Sequence, residues 1–441
     1  MSEETIVAAA TRGAATISLI RMSGPKSLEI LTKIFPKNQA LETHHIYHGW
    51  VIDPKTKTKL DEVMAWYLKA PRSFTGEEMV EISCHGSHEV SRQIIELIIR
   101  LGGRGASKGE FSKRAFLNGK IDLTQAEAIV DLITAKTEKS VASARRQVEG
   151  KLKEAIKEKR QILLDQLSRL EAEIDFPEDV PGSQKINIFE ELGQGLQRDI
   201  NTANYGKIIR DGVKIAIIGR PNVGKSSLLN RLLKEDRAIV TDLPGTTRDT
   251  IEETVNVQGF PMIIIDTAGI RETKEKMEEL GIARSKKAAE EAEVVLVIKD
   301  ATDPLNKEDS TIINAIDQNK AIVAYNKIDL TKYKPKDGGI AISATEGLGM
   351  ECLEAAIINK LAANNGLYEE DYGGINERHK ECLVRAYKAV QMGLKAMKAG
   401  AGPEELAVDI KEALIAMGEV TGEEVTDEVL NNIFDKFCIG K

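Results

Sequence analysis

Eight residues, Gly219-Arg220-Pro221-Asn222-Val223-Gly224-Lys225-Ser226, carry the spacing GxxxxGKS. Glycines at that separation let a loop turn tightly enough for its N–H groups to surround a phosphate chain. A helix starting at Ser227 would add its positive end. Lys225 is placed to reach the β- and γ-phosphates, and the Ser226 hydroxyl to ligate Mg²⁺. Gly219, Asn222, Val223, Gly224 and Ser227 complete the set expected to touch the nucleotide. Asp266-Thr267-Ala268-Gly269 supplies a carboxylate for the magnesium shell and, at Gly269, an amide that can sense the γ-phosphate. Asn326-Lys327-Ile328-Asp329 supplies a base reader. Asp329 can accept both N1–H and the exocyclic amine of guanine, a donor pair that adenine lacks, while Asn326 and Lys327 shape the pocket. Ser343-Ala344 offers a backbone N–H to guanine O6. A chance glycine-rich turn and an adenine-specific site are the competing readings, and the order of the motifs disfavours both.

Between the phosphate loop and Asp266 lies TDLPGTTRD, Thr241 to Asp249. Thr247 is the choice for a second Mg²⁺ ligand, with Thr246 the alternative, in a switch loop whose order depends on the γ-phosphate. A plain solvent-facing connection is the bland alternative. Ile270, not glutamine, follows Gly269, so a carboxylate must orient the attacking water. Glu272, Glu275, Glu278 and Glu279 are candidates, and Arg248 or Arg271 can offset phosphate charge; for each, an ordinary surface role weighs more.

Short apolar runs suited to a covered parallel sheet position these motifs: Val213 to Ile218, Met262 to Ile265, Val294 to Ile298 and Ala321 to Ala324, with Gly338 to Ser343 as a last strand. Residues 211–369 therefore read as an α/β nucleotide-binding domain. Residues 1–118 read as α+β, with strands in Ala14 to Ile20, Met64 to Leu68 and Val80 to Ser83, and a helix over Val90 to Leu101 that stops at Gly102-Gly103. Helical spacing runs from Leu123 to about Ala172 and from Ile188 to Ile209, and returns over Cys382 to Met397, Leu406 to Met417 and Glu428 to Phe437. The economical arrangement is one helical domain in two segments, 119–210 and 370–441, with the α/β domain inserted.

The chain has 441 residues, a formal charge of -8 and 4% aromatic residues. No overall basicity points to nucleic acid. The scattered cysteines Cys84, Cys352, Cys382 and Cys438 argue against a disulfide scaffold and fit a reducing compartment. No signal peptide and no apolar stretch of about 20 residues is visible, so a cytoplasmic protein without membrane insertion is expected. Cys84-His85-Gly86-Ser87-His88 invites a metal reading, but it lacks an evident fourth ligand.

The whole pattern resembles the tRNA-modification GTPase family MnmE, also called TrmE. GRPNVGKS, the loop GTTRD at Gly245 to Asp249 and DTAGIR at Asp266 to Arg271 fit in the middle. Outside it, GEFSKRAFLNGK at Gly109 to Lys120 resembles the family's GEFTKRAFLNGK, and Cys438-Ile439-Gly440-Lys441 resembles its CxGK terminus. Ser87 replaces the second glycine of the family's CHGG turn. The resemblance implies a multidomain chain: an N-terminal α+β folate-binding-like domain that forms a homodimer, a discontinuous all-helical domain and an inserted α/β P-loop GTPase domain. It implies GTP hydrolysis in the modification of C5 of wobble uridine 34 of tRNA, adding an aminomethyl or carboxymethylaminomethyl group. The implied one-carbon source is 5,10-methylene-tetrahydrofolate (5-formyl-tetrahydrofolate being an analogue). The implied partner is the FAD-dependent MnmG (GidA), in a heterotetramer or larger complex.

The resemblance further implies that Asn222 helps to bind K⁺, that the segment from about Lys234 to Asp249, with Thr241 and Thr246, forms the K⁺-holding loop, and that G-domain dimerisation activates hydrolysis. It matches Glu278 to the family's water-orienting glutamate. Arg21, Glu77 or Glu78, Arg114 and Lys120 stand at plausible folate positions, with Lys441 at the tail, although each reads equally well as a surface ion pair. Cys438 is either a nucleophile near the one-carbon unit or a small apolar residue beside Phe434 and Phe437. Basic residues gather at Lys136, Lys139, Arg145, Arg146, Lys151, Lys153, Lys157, Lys159 and Arg160, a solvated helix face that can also attract RNA phosphates. Rival readings are a regulatory GTPase that binds a protein or ribosome, and a folate protein with a dead nucleotide site.

Overall fold

The computed structural model describes residues 4–11, 16–176, 186–235, 253–265, 287–335 and 338–440. Contacts group the chain into two units, Met1–Val130 with Thr421–Lys441, and Asp131–Val420.

The first unit is built on strands β1 (Thr5–Ala9), β2 (Ile17–Ser23), β3 (Ile46–Ile52), β4 (Lys59–Leu68), β5 (Met79–His85) and β6 (Gly103–Gly105), in the order β3-β4-β5-β2-β1-β6. Only the β1–β6 pair is parallel. Alternation along each strand sends one set of side chains inward. Ile20, Met22, Val63, Ala65, Val80 and Ile82 form a core against helices α1 (Ser27–Ile34) and α2 (His88–Arg100). α2 starts where the Ser87 side chain accepts the Val90 N–H, so the serine that departs from the family's glycine serves as a cap. Helix α3 (Glu110–Leu117) puts Phe111 against Ile6 and Ala8 of β1.

Helix α4 (Leu123–Thr134) opens on a reciprocal cap. Asp122 Oδ1 accepts the Gln125 N–H at 2.9 Å, and Gln125 Oε1 accepts the Asp122 N–H at 3.0 Å. The uninterrupted helical spacing from Leu123 to Ala172 resolves into α4, α5 (Glu138–Val148) and α6 (Lys151–Asp175). The breaks fall where Thr137 caps α5 through the Ser140 N–H and where Gly150 takes a left-handed turn before α6.

In the second unit, α6 and α7 (Ile186–Asp211) pack with α11 (Glu377–Lys398) and α12 (Pro403–Thr421) around Leu163, Leu196, Leu383 and Ile410. The intervening segment forms a sheet in the order β12-β11-β10-β7-β9-β8. Its strands are β7 (Val213–Ile218), β8 (Glu253–Val257), β9 (Phe260–Ile265), β10 (Val294–Asp300), β11 (Ala321–Asn326) and β12 (Ile340–Ala341). All neighbours are parallel except β8, an antiparallel edge on β9. One face is covered by α8 (Lys225–Glu235) and α10 (Met350–Asn365); Ile312 and Ile313 of α9 (Lys307–Asn314) pack on the other.

α7 serves both cores of this unit. Phe189, Leu192 and Leu196 lie among the helices, while Tyr205, Ile208 and Ile209 lie under the sheet. Where α7 passes the segment before α11, backbone meets backbone: a Cβ on Gly206 would stand 2.2 Å from the Ile375 carbonyl oxygen.

The last helix, α13 (Asp427–Phe434), packs with the first unit. Leu430, Ile433, Phe434 and Phe437 bury against Leu123 and Ala126, with Phe116 at the edge. The sequence expectation joined 370–441 with 119–210 in one helical domain; α13 packs on Leu123 and Ala126 of α4, inside the first of those segments, while contacts group Thr421–Lys441 with Met1–Val130.

Candidate nucleotide site

β7 delivers the chain to the point where the order of strands reverses, the usual ligand crevice of a parallel sheet. Only glycine can leave it there: Gly219 has φ +149°, and a Cβ would lie 2.3 Å from the Ile298 carbonyl oxygen. Gly224, at φ +97°, closes the loop, and a Cβ there would lie 2.1 Å from Asn326 Nδ2. Asn222 holds φ +62° on the exposed crest between them. Val223 is buried and fixes the loop to the core. Lys225 begins α8, and its ammonium donates to the carbonyls of Gly219 and Arg220 at 2.7 and 2.8 Å. Burial lowers its pKa. Ser226 and Ser227 are exposed in the first turn of α8.

Asn326, the last residue of β11, joins the loops. Its Nδ2 donates to the Val223 carbonyl at 2.9 Å, and its Oδ1 accepts the Ala344 N–H at 2.9 Å. Of the two backbone N–H groups of Ser343-Ala344 expected to offer one to guanine O6, that of Ala344 donates to this carboxamide and that of Ser343 to the Leu348 carbonyl at 2.9 Å. Ser343 is fully buried, and its hydroxyl accepts the Glu346 N–H at 3.2 Å. Lys327 sits at φ +68°, and its ammonium meets Asp300 Oδ2 at 2.6 Å. Burial opposes ionisation of Asp300, but hydrogen bonds from Lys327 and Thr302 hold its carboxyl below the ordinary range. Asp329 is exposed in a single 3₁₀ turn, Ile328–Leu330.

Sequence reading missed two contributors. Arg231 of α8 donates through Nε to the Ala344 carbonyl at 3.0 Å and through Nη2 to the Thr345 carbonyl. Asp300 fixes Lys327. Arg231 carries no motif signal, whereas Asp300 stands at the end of an apolar strand, which was available to read. Thr241, Thr246, Thr247, Asp266, Gly269, Glu278 and Lys441 lie outside the described residues, as do Arg248, Arg271 and the other glutamate candidates.

The residues expected around a folate divide. Arg21 lies on the sheet face opposite the α1–α2 core, its guanidinium carbon 5.4 Å from the Phe74 ring centroid and 5.8 Å from that of Phe111. Its Nε donates to Glu81 at 2.8 Å. Glu78 accepts from the Tyr67 hydroxyl. Lys120 is exposed and donates to the Pro71 carbonyl at 3.1 Å. The Arg114 side chain is 6% exposed, and it donates to Glu77 at 2.9 Å, Glu110 at 3.1 Å and the Glu4 carbonyl at 3.0 Å. These contacts occupy three of the five guanidinium N–H groups. Glu77, buried, also accepts from Ser23 at 2.8 Å.

The Cys438 carbonyl accepts the Gly109 N–H at 3.3 Å, and Ile439 bridges Lys108, so the tail runs against the start of the GEFSKRAF segment. The metal reading of Cys84 to His88 finds no support among the described residues. Strand alternation turns Cys84 inward and His85 outward, where it meets Asp61 at 2.8 Å. The basic run is partly used internally. Lys136 donates to Thr254 at 3.1 Å, Lys139 lies 4.0 Å over the Phe260 ring, Arg146 meets Glu369 at 2.7 Å and Lys159 meets Asp199 at 3.1 Å. Among the described residues no helix is long and apolar enough to cross a membrane.

A phosphate loop at the switch point of a mainly parallel sheet, tied through one asparagine to a guanine-reading loop, defines a P-loop GTPase. Two family descriptions match: "GTP-binding protein TrmE N-terminus" over residues 5–120 and "MnmE helical domain" over residues 123–438, a span that runs across that region. A tRNA modification GTPase MnmE from Thermoanaerobacter pseudethanolicus is 43% identical over 457 residues, covering 99% of each chain. One from Streptococcus pneumoniae is 42% identical over 452 residues, again covering 99% of each. The chain belongs to the tRNA modification GTPase MnmE family. Among solved structures, Era of Aquifex aeolicus bound to GDP·AlF4⁻ is 31% identical over 40% of this chain and 66% of its own, with a TM-score of 0.27. The G domain of the T. maritima FeoB iron transporter is 27% identical over 34% of this chain and 98% of its own, with a TM-score of 0.25. Both scores are too low to bear on the fold.

Proposed function

We propose that the chain binds and hydrolyses GTP at Gly219 to Ser226 and that this turnover serves modification of tRNA in the cytoplasm. The supporting observation is Asn326, whose two amide ends tie the phosphate loop to the loop beside the base reader. Lys225 binds the β- and γ-phosphates, exchanging two carbonyl acceptors for phosphate oxygens. Asp329 selects guanine. The glycine cradle and the exposed Ser226 at the start of α8 fit a magnesium-bound triphosphate. Mg²⁺ and K⁺ supply neutralisation of the phosphate oxygens when bound. Ser226, with Thr247 or Thr246, would hold the first, and Asp266 its water shell. Asn222 with Thr241 would hold the second, and the left-handed crest at Asn222 leaves that side chain in solvent. Gly269 senses the γ-phosphate and Glu278 orients water.

The finer reading is modification at C5 of wobble uridine 34 with a methylene-tetrahydrofolate donor, together with the FAD-dependent partner MnmG. Arg21, Glu78, Lys120, Cys438 and Lys441 are the folate-side candidates. A homodimer through the first unit is supported by the open sheet face, which leaves Ile46 64%, Met64 49% and Trp50 38% exposed. The purified chain should turn over GTP with Mg²⁺, and faster in K⁺ than in Na⁺ at equal ionic strength. Absence of GTP binding and cleavage sinks the nucleotide reading; equal rates in the two salts sink the cation reading. Wobble-uridine modification that persists after clean depletion sinks the tRNA reading.

A further inference from the structure

We propose that Asp309 is a positioning residue for nucleotide binding, acting through Arg220 on the first peptide of the phosphate loop. The inference rests on the reading of this loop as a GTP site. Arg220 follows Gly219, where an arginine side chain has two courses: to lean over the phosphates or to anchor the loop from behind. The structure takes the second. Arg220 Nε donates to Asp309 Oδ1 at 2.8 Å, and Nη2 to Oδ2 at 3.3 Å, a fork-on-carboxylate pair. Asp303 closes the outer side, also at 3.3 Å. Asp309 is 1% exposed and Arg220 15%, so the pair lies largely out of water, where an ion pair holds its geometry. The hydrogen bond that Arg220 donates to Asp309 leads the causes that raise the arginine's pKa, so the charge stays on.

The backbone of the same residue performs the second half of the task. The Arg220 carbonyl accepts the Lys225 ammonium at 2.8 Å, beside the Gly219 carbonyl at 2.7 Å. Pro221 fixes the next φ. A buried carboxylate in the first turn of α9 thus sets the side chain, the side chain sets the peptide, and the peptide sets the lysine that meets the phosphates. α9 carries no nucleotide motif; the first turn of a helix favours a carboxylate, and the arginine fork fixes where this one points.

Two variants of the full chain test this, with affinity for fluorescent GDP, kcat and KM for GTP, and the thermal midpoint as readouts. Asp309→Asn should weaken GDP binding about tenfold, the scale of one charge-assisted hydrogen bond, and raise KM more than it lowers kcat. Arg220→Met with Asp309→Leu removes both charges and leaves no orphan, so its midpoint should stay near wild type. Its GDP affinity should still fall about tenfold, because the anchor is gone. Asp309→Glu, which keeps the carboxylate, should recover part of the loss. Wild-type affinity and turnover in the apolar double variant overturn the inference and leave the pair a matter of stability alone, as does wild-type affinity in Asp309→Asn. If Asp309→Asn does not fold, the double variant decides. Wild-type protein that itself fails to bind GDP overturns the reading of the site instead.

Discussion

One carboxamide, that of Asn326, spans two loops that face opposite ends of a nucleotide, and it presses on Gly224 so closely that no side chain fits there. Gly224→Ala combines a left-handed backbone with a Cβ on top of Asn326 Nδ2. Nucleotide affinity should fall at least tenfold, measured with fluorescent GDP, and retained affinity would show that the two loops are not joined in this way. On the proposed guanine reading, Asp329→Ala removes two hydrogen bonds to a charged acceptor. The Kd for GTP should rise about 100-fold, and the preference for GTP over ITP, which lacks the exocyclic amine, should vanish. A preference that survives would mean another group reads the base. Farther from the nucleotide, Glu110 is pushed up by burial, but hydrogen bonds from Arg104, the Ser107 N–H and Arg114 outweigh this and hold its carboxyl at about 2. A carboxyl brought down from 4.5 to about 2 contributes about 3 kcal/mol at neutral pH. That stability is complete above pH 4.5 and is lost as pH falls towards 2. Glu110→Gln should flatten that part of the profile in denaturant titrations, and an unchanged acid limb would refute the assignment. Motif residues were legible because local spacing encodes them. The burial of Arg114 was not legible, because its partners Glu77, Glu110 and the Glu4 carbonyl come from three segments.

Strands β7 and β11 begin where their apolar runs begin, because a strand covered on both faces writes itself as an unbroken hydrophobic stretch. β8, Glu-Thr-Val-Asn-Val, escaped notice: it is an edge strand, short and half polar, and it exists because β9 offers it a partner. The breaks between α4, α5 and α6 were hidden for the opposite reason. Helical spacing continues across them, and only the Thr137 cap and the Gly150 turn mark the stops. Gly206 sets two effects against each other at the level of the helix. Glycine to alanine inside a helix gains about 1 kcal/mol from propensity. Here the added carbon would meet the Ile375 carbonyl oxygen at 2.2 Å, so overpacking wins. Gly206→Ala should destabilise by about 2 kcal/mol or more in chemical denaturation; a stabilised variant would mean that the segment before α11 gives way.

Both tryptophans, Trp50 and Trp66, belong to the first unit, while the phosphate loop belongs to the second. Tryptophan fluorescence therefore follows one unit and nucleotide loads the other. At 100 times Kd, GDP should stabilise the second unit by about 2.7 kcal/mol. The calorimetric transition of that unit should move while the fluorescence transition stays; a joint shift would show that the units unfold together. The helical period of α13 says nothing about which core receives it; its apolar side packs on Leu123 and Ala126 of α4. One feature of the second unit also limits how the protein can be cut. Because Tyr205, Ile208 and Ile209 sit beneath the sheet although they belong to a helix whose other half lies elsewhere, a fragment trimmed to begin at Val213 would bare greasy β-sheet to water and clump. Starting the fragment a few turns upstream, before Tyr205, would carry the missing lining along and stay in solution.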